Sequence, residues 1–160
     1  MNAALLIIDV QKAYIGHRRK ERLYDMTFEY INETAKLFRE SGRPVIIVRH
    51  IEEDDAEKYE NADELESDES DIAIIKRYGN SFWKTDLEKI LKDLDVDFVV
   101  LCGNAAEFCV LATYNGALER DFGAAMLQNG IFAASEIGLN DIAFNRPAVA
   151  YEVLEYIFKK

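Results

Sequence analysis

The sequence predicts an α/β protein, a three-layer, doubly wound and mostly parallel sheet with helices on both faces, and three observations predict it. Apolar runs rich in branched residues recur along the chain: ALLIIDV at 4–10, PVIIVRH at 44–50, DIAIIKR at 71–77 and DFVVLCG at 97–103. They are continuously apolar rather than alternating, as strands buried on both faces are. Amphipathic helical patterns separate them, and no repeat or linker interrupts the alternation over 160 residues, so a single domain over 1–160 is expected.

Each element has its own local reason. The first strand, 4–10, carries Asp9 near its end. A helix over 27–41 places Phe28, Ile31, Ala35 and Phe38 on one stripe, with Thr27 as N-cap and Gly42 as its stop. Pro44 is tolerated as the first residue of the second strand, and 71–77 makes a short third. Thr85-Asp86-Leu87-Glu88 has the form of a capping box, which predicts a helix over 86–94 burying Leu87, Ile90, Leu91 and Leu94. The strand 97–103 is followed by a helix from Cys109 to Arg120, a fifth strand at 123–129, and a final amphipathic helix opened by Pro147. Right-handed crossovers between parallel strands leave few topologies. In the order 3-2-1-4-5 the winding reverses between strands one and four, which opens a crevice at their C-terminal ends.

The net charge of -11 is concentrated in one place. Residues 52–71 hold twelve acidic residues and one lysine, an excess of eleven, and the remainder is balanced. This segment predicts a solvated, mobile loop with one helical turn. Calcium is set aside because no Asp-x-Asp-x-Asp-Gly loop is present. An acidic chain offers no nucleic-acid surface, no run approaches a membrane span, and MNAALLIIDV lacks a basic leader and a cleavage pattern. Cytoplasmic localisation is expected. Cys102 and Cys109 fit neither a disulfide framework nor a zinc or redox spacing, so both thiols are expected to be reduced.

Five residues carry candidate chemistry, each with a plainer alternative, and Cys102 stands apart from them. Cys109, at the start of a helix, would feel unpaired N–H groups that favour a thiolate, or it is a small buried hydrophobe. Cys102, inside a strand, reads as structural. Asp9 ends an apolar strand, where a carboxylate is costly unless paired or used; it would otherwise cap the following turn. Lys76 leaves another apolar strand and would otherwise reach for solvent. His50, at a strand end near the crevice, would bind substrate or make a turn hydrogen bond. Its neighbour Arg49 would receive a substrate carboxylate or pair with the acidic loop.

Taken together, Asp9-Val10-Gln11-x-x-Tyr14 after an apolar strand, Lys76 separated by five residues from Phe82 before a capped helix, and Gly103-Asn-Ala-Ala-Glu-Phe-Cys109-Val-x-x-Thr113 after another apolar strand resemble the isochorismatase-like hydrolases. This is the cysteine hydrolase superfamily that includes the nicotinamidases. The resemblance runs in order from the first strand to about residue 134. It implies a catalytic triad of Asp9, Lys76 and Cys109, with Lys84 unmatched. It also implies a cis peptide between Asn104 and Ala105 that aims the Ala105 N–H, beside that of Cys109, at an oxyanion. Tyr14 and Phe82 match aromatic positions lining the family's pocket. The nicotinamidase metal site needs further histidines, whereas this chain has only His17 and His50, so no metal and no cofactor is expected. Asn104 and Ala106 depart from the family's usual cysteine loop.

The function expected from these residues is cleavage of an amide-type C–N bond in a small molecule through a thioester. Two other readings stand beside it: vinyl-ether hydrolysis of the isochorismate type, in which the aspartate acts as acid and no cysteine is needed, and a non-catalytic binding module that retains the fold. Apolar positions on the last helices, with the family's habit of pairing, imply a homo-oligomer.

Overall fold

The computed structural model describes residues 1–53 and 58–159. Six strands form one sheet: β1 (Ala3–Ile8), β2 (Val45–His50), β3 (Ile72–Lys76), β4 (Phe98–Asn104), β5 (Gly123–Phe132) and β6 (Ala148–Val149). Their order is β3-β2-β1-β4-β5-β6 and every pairing is parallel. This is the expected winding with a short sixth strand added beyond β5.

The apolar runs become strands because the sheet has a core on each face. Along β1, Ala4, Leu6 and Ile8 feed one core while Ala3, Leu5 and Ile7 feed the other, and all six are fully buried. Each Leu or Ile so placed is stabilised by roughly 1.5–3 kcal/mol relative to exposure. Behind one face lie α2 (Tyr24–Glu40) and α6 (Tyr151–Phe158), which contribute Phe28, Ile31, Phe38 and Leu154. Against the other lie α3 (Leu87–Asp93), α4 (Leu111–Leu118) and α5 (Glu136–Asn145), with Leu87, Leu91, Tyr114 and Ile142. A short α1 (Lys12–Ile15) and a 3-10 turn at Gly16–Arg18 connect β1 to α2. Among the described residues no helix is long and apolar enough to cross a membrane.

Several local expectations are corrected. Thr27 is not an N-cap: α2 begins one turn earlier, and the Thr27 hydroxyl donates back to the Leu23 carbonyl at 2.8 Å. Thr85 does accept the Leu87 N–H at 3.3 Å, but Glu88 turns outward to Lys92 and Arg120, so the reciprocal half of the box is missing. The helix at the cysteine starts at Ala106 with a π-turn, Ala106–Val110, in which the Val110 N–H reaches the Ala105 carbonyl at 3.2 Å. Cys109 therefore lies within the first turn rather than at its tip. Pro147 opens β6, not a helix, and its carbonyl accepts the Met126 N–H at 2.8 Å. The unexpected α5 is capped by Ser135, whose hydroxyl accepts the Gly138 N–H.

The acidic segment is the largest correction. Residues 54–57 lie outside the described residues; the rest is pinned rather than mobile. Tyr59, Ala62 and Leu65 are buried, the Ala62 N–H donates to the Val10 carbonyl, and Asn61 bridges to Gln11. Its acids meet cations from the other side of the chain: Asp63 meets Lys12, Glu64 meets Arg19, and Asp71 makes a two-pronged pair with Arg39.

Gln11 holds this segment to the sheet and is fully buried. Its carboxamide accepts the His50 N–H at 2.7 Å and donates to the carbonyls of His50 and Tyr59 at 3.0 and 2.7 Å. Gln11→Leu would take away the partners of the His50 N–H and the Tyr59 carbonyl and leave the His50 carbonyl only the Tyr14 hydroxyl at 3.4 Å, so a destabilisation of about 3 kcal/mol is expected in denaturant unfolding. A loss below about 0.5 kcal/mol would remove Gln11 from this role.

Candidate active site

The three chemistry-bearing side chains stand at the C-terminal ends of β1, β3 and β4. Asp9 follows β1 with φ 52, a left-handed turn that aspartate tolerates and that takes the chain out of the sheet while its N–H still donates to the Val48 carbonyl. Lys76 is the last residue of β3. Gly103, at φ 106, lets β4 press against β1, because a Cβ there would overlap the Ile8 carbonyl. The peptide between Asn104 and Ala105 is cis, and the π-turn then carries Cys109 back over the ends of the strands.

Convergence is tight. The Lys76 ammonium donates to Asp9 Oδ2 at 2.8 Å and to the Tyr78 carbonyl at 3.1 Å, in a pair almost wholly removed from solvent. Asp9 Oδ1 is buried and accepts no hydrogen bond. A carboxylate oxygen of Asp9, a ring nitrogen of His50 and the Cys109 sulfur lie within 4.8 Å of one another. Burial pushes the Asp9 carboxyl up, and the charge of Lys76 opposes that rise only in part. Burial, and then the Asp9 charge, push the Cys109 thiol up to about 12. A helix start favours the thiolate, whereas burial and the Asp9 charge favour the thiol.

Cys102 is separate from this group, fully buried with its thiol toward the Leu6 carbonyl, and burial raises its pKa as well. His50 is at the site, its backbone held by Gln11 and its ring 6.0 Å from that of Tyr14. Tyr14 lines an open cleft of about 280 Å³ together with Asn104, Ala105 and Phe108. Phe82, in contrast, is taken up by the core: it is buried, stacked on Phe122 at 5.8 Å, with the Arg120 guanidinium 5.2 Å from its ring centre. Its sequence position is right for the pocket, but the loop after β3 turns the ring inward.

Two contacts that sequence reasoning missed fix the cysteine turn. Thr113 in α4 accepts the Ser81 N–H at 3.0 Å and shares a 2.8 Å hydroxyl bond with Ser81, tying α4 to the loop after Lys76. Glu107 reaches the segment after β5. Neither has a local signal, since the partners lie 32 and 27 residues away.

Asp9, His50 and Cys109 offer a metal three donor atoms at workable separations. The carboxylate already holds a buried ammonium at 2.8 Å, whose charge opposes a second cation there.

Comparison with known proteins agrees with the geometry. The model of the isochorismatase domain matches residues 3–153. An isochorismatase family protein of Bacillus subtilis (strain 168) is 32% identical over 133 residues, covering 76% of this chain and 73% of that protein. An isochorismatase family protein from Burkholderia thailandensis superposes with a TM-score of 0.87 at 20% identity, covering 99% of this chain and 96% of that one. N-carbamoylsarcosine amidase from Thermoplasma acidophilum superposes with a TM-score of 0.80 at 24% identity, over 94% and 95% of the two chains. With the domain matched almost from end to end, the chain belongs to the isochorismatase family of hydrolases.

Proposed function

We propose that this hydrolase is a metal-independent cysteine amidohydrolase that cleaves the C–N bond of a small amide or ureido compound through a thioester on Cys109. What carries the reading is the unshared oxygen of Asp9. One oxygen is taken by Lys76, while the other is buried with no nitrogen or oxygen donor against it, on a carboxylate that reaches the Cys109 thiol.

Asp9 takes the thiol proton as the sulfur attacks the carbonyl carbon, and the carbonyl π-electrons move to oxygen. The N–H groups of Ala105 and Cys109 receive that oxyanion. As the oxyanion collapses the C–N bond breaks, and Asp9 returns its proton to the leaving nitrogen. Water then attacks the thioester while Asp9 accepts a proton from it. The C–S bond breaks, the sulfur recovers that proton, and an acid is released. Lys76 keeps the carboxylate available as a base in a site that otherwise favours its neutral form. His50, Tyr14 and Asn104 line the approach for substrate.

The likeness to a protein named as an amidase supports the bond type, and the open cleft of about 280 Å³ supports a small substrate. Two free cysteines fit a reducing, cytoplasmic setting. Ile137 and Phe144 on α5 and Tyr156 on α6 are exposed apolar side chains of the kind that pair in a homo-oligomer.

A panel of small carboxamides and ureido compounds assayed for ammonia release tests the reaction. For any substrate found, kcat/KM is expected to fall at acid pH with an apparent pKa above the ordinary 3.8 of aspartate, because the base must be ionised and burial raises its pKa. A profile flat down to about pH 4 would remove Asp9 from the role of base.

A further inference from the structure

We propose that Glu107 is a positioning residue, locking the cysteine turn to another segment of the cleft's lining so that Cys109 keeps its place against Asp9. The glutamate sits in the π-turn, two residues before the cysteine. Oε2 accepts the Ala134 N–H, and Oε1 accepts both the N–H and the hydroxyl of Ser135, each at 2.8 Å. Ala134 lines the cleft together with Phe108 and Ala105, so one carboxylate joins the nucleophile's own turn to another segment of the cleft's lining. Ser135 in turn caps α5, its hydroxyl accepting the Gly138 N–H at 3.1 Å.

The chemistry of the contact requires the anion. All three partners are donors, two of them backbone N–H groups at the start of a ten-residue helix, where negative charge is favoured. Burial works to raise the Glu107 pKa, and the donors on Ala134 and Ser135 outweigh it, so the carboxyl lies below the ordinary glutamate value. Thr113 anchors the later part of the same helical segment to Ser81. Glu107 fixes the earlier part, and the nucleophile lies between the two anchors.

Gly138 gives a way to break this contact from the other side. A methyl group at 138 would overlap the Glu107 carboxylate, which is the far end of a flexible side chain and can swing away. Gly138→Ala therefore expels the carboxylate while leaving its charge and the whole cysteine turn unaltered in sequence. It should fold, with a melting temperature within about 3 °C of the parent. Glu107→Gln tests the same contact directly, since its amide turns a donor toward a donor.

The inference rests on the thiol reading above, and the measurement separates the two. Iodoacetamide labelling of the full chain, followed by mass spectrometry across neutral pH, reports the setting of Cys109, which faces Asp9 from β1, His50 from β2 and Lys76 from β3. A thiol served by Asp9 should label at rates that agree within about threefold between pH 6 and pH 8, whereas an ordinary thiol accelerates by more than tenfold. The parent is expected to show the first pattern, and Gly138→Ala and Glu107→Gln the second. Cys102 should stay unlabelled in each as a monitor of folding, and if Glu107→Gln opens the core, Gly138→Ala decides. A Gly138→Ala protein that keeps the parent's pattern overturns the positioning role and leaves the triad standing. A parent that already behaves as an ordinary thiol overturns the triad, and the role of Glu107 with it.

Discussion

Replacing Cys109 with alanine is expected to lower turnover of the amide substrate by a factor on the order of 10⁴ or more. The size follows from the division of labour at the site. Asp9, Lys76 and the cleft can still bind and orient a substrate without the sulfur, but nothing remains to form the thioester, and water must attack an unactivated amide directly. The folded state should hardly notice, because the half-buried thiol gives up little packing. The parent, mixed with substrate and quenched in acid, should carry an acyl adduct on residue 109 that hydroxylamine removes; the variant should carry none. Amide turnover within tenfold of the parent would rule out the thioester and leave Asp9 to activate water directly. The result therefore decides between covalent and direct hydrolysis of the same bond.

Much of this site was legible before any coordinates, for a physical reason. Strands buried on both faces must be continuously apolar, so Asp9 and Lys76 stood out as charges where the solvent-free interior ends, and the winding of a parallel sheet brings such ends together. Side chains whose position depends on distant partners were not legible. Phe82 reads as a pocket aromatic until the loop after β3 folds it onto Phe122. Residues 58–71 read as solvated because charge counts do not show that Lys12, Arg19 and Arg39 wait on other elements, or that Gln11 reaches their backbone. For α5 the Ser135 cap was readable, but glycine and asparagine within the helix weaken the local signal. The thiol shows the same limit: a helix start argues for a thiolate, yet desolvation and Asp9, contributed from the other end of the chain, push the other way.

Lys76→Met should be the most destabilising of these substitutions, by about 3–5 kcal/mol at neutral pH, since it strands a carboxylate in the interior. Methionine matches the lysine stem in volume, so packing is largely kept and the loss is electrostatic. Its sign with pH follows from linkage. Burial already raises the folded-state pKa of Asp9 above 3.8, and without the ammonium nothing offsets it. Near and below pH 3.8 the carboxyl is neutral in both folded and unfolded chains, and no charge is trapped. As pH climbs from there to the raised folded value, the unfolded chain loses its proton first and stability falls. Denaturant unfolding should therefore show a gap between variant and parent that is widest at neutral pH and narrows toward pH 5. Adding Asp9→Asn to Lys76→Met removes the stranded charge and should recover part of the loss, though not the activity. A Lys76→Met protein as stable as the parent at neutral pH would mean that the carboxylate already reaches water. Burial would then no longer raise the Asp9 pKa, and Asp9 would titrate as an ordinary surface acid.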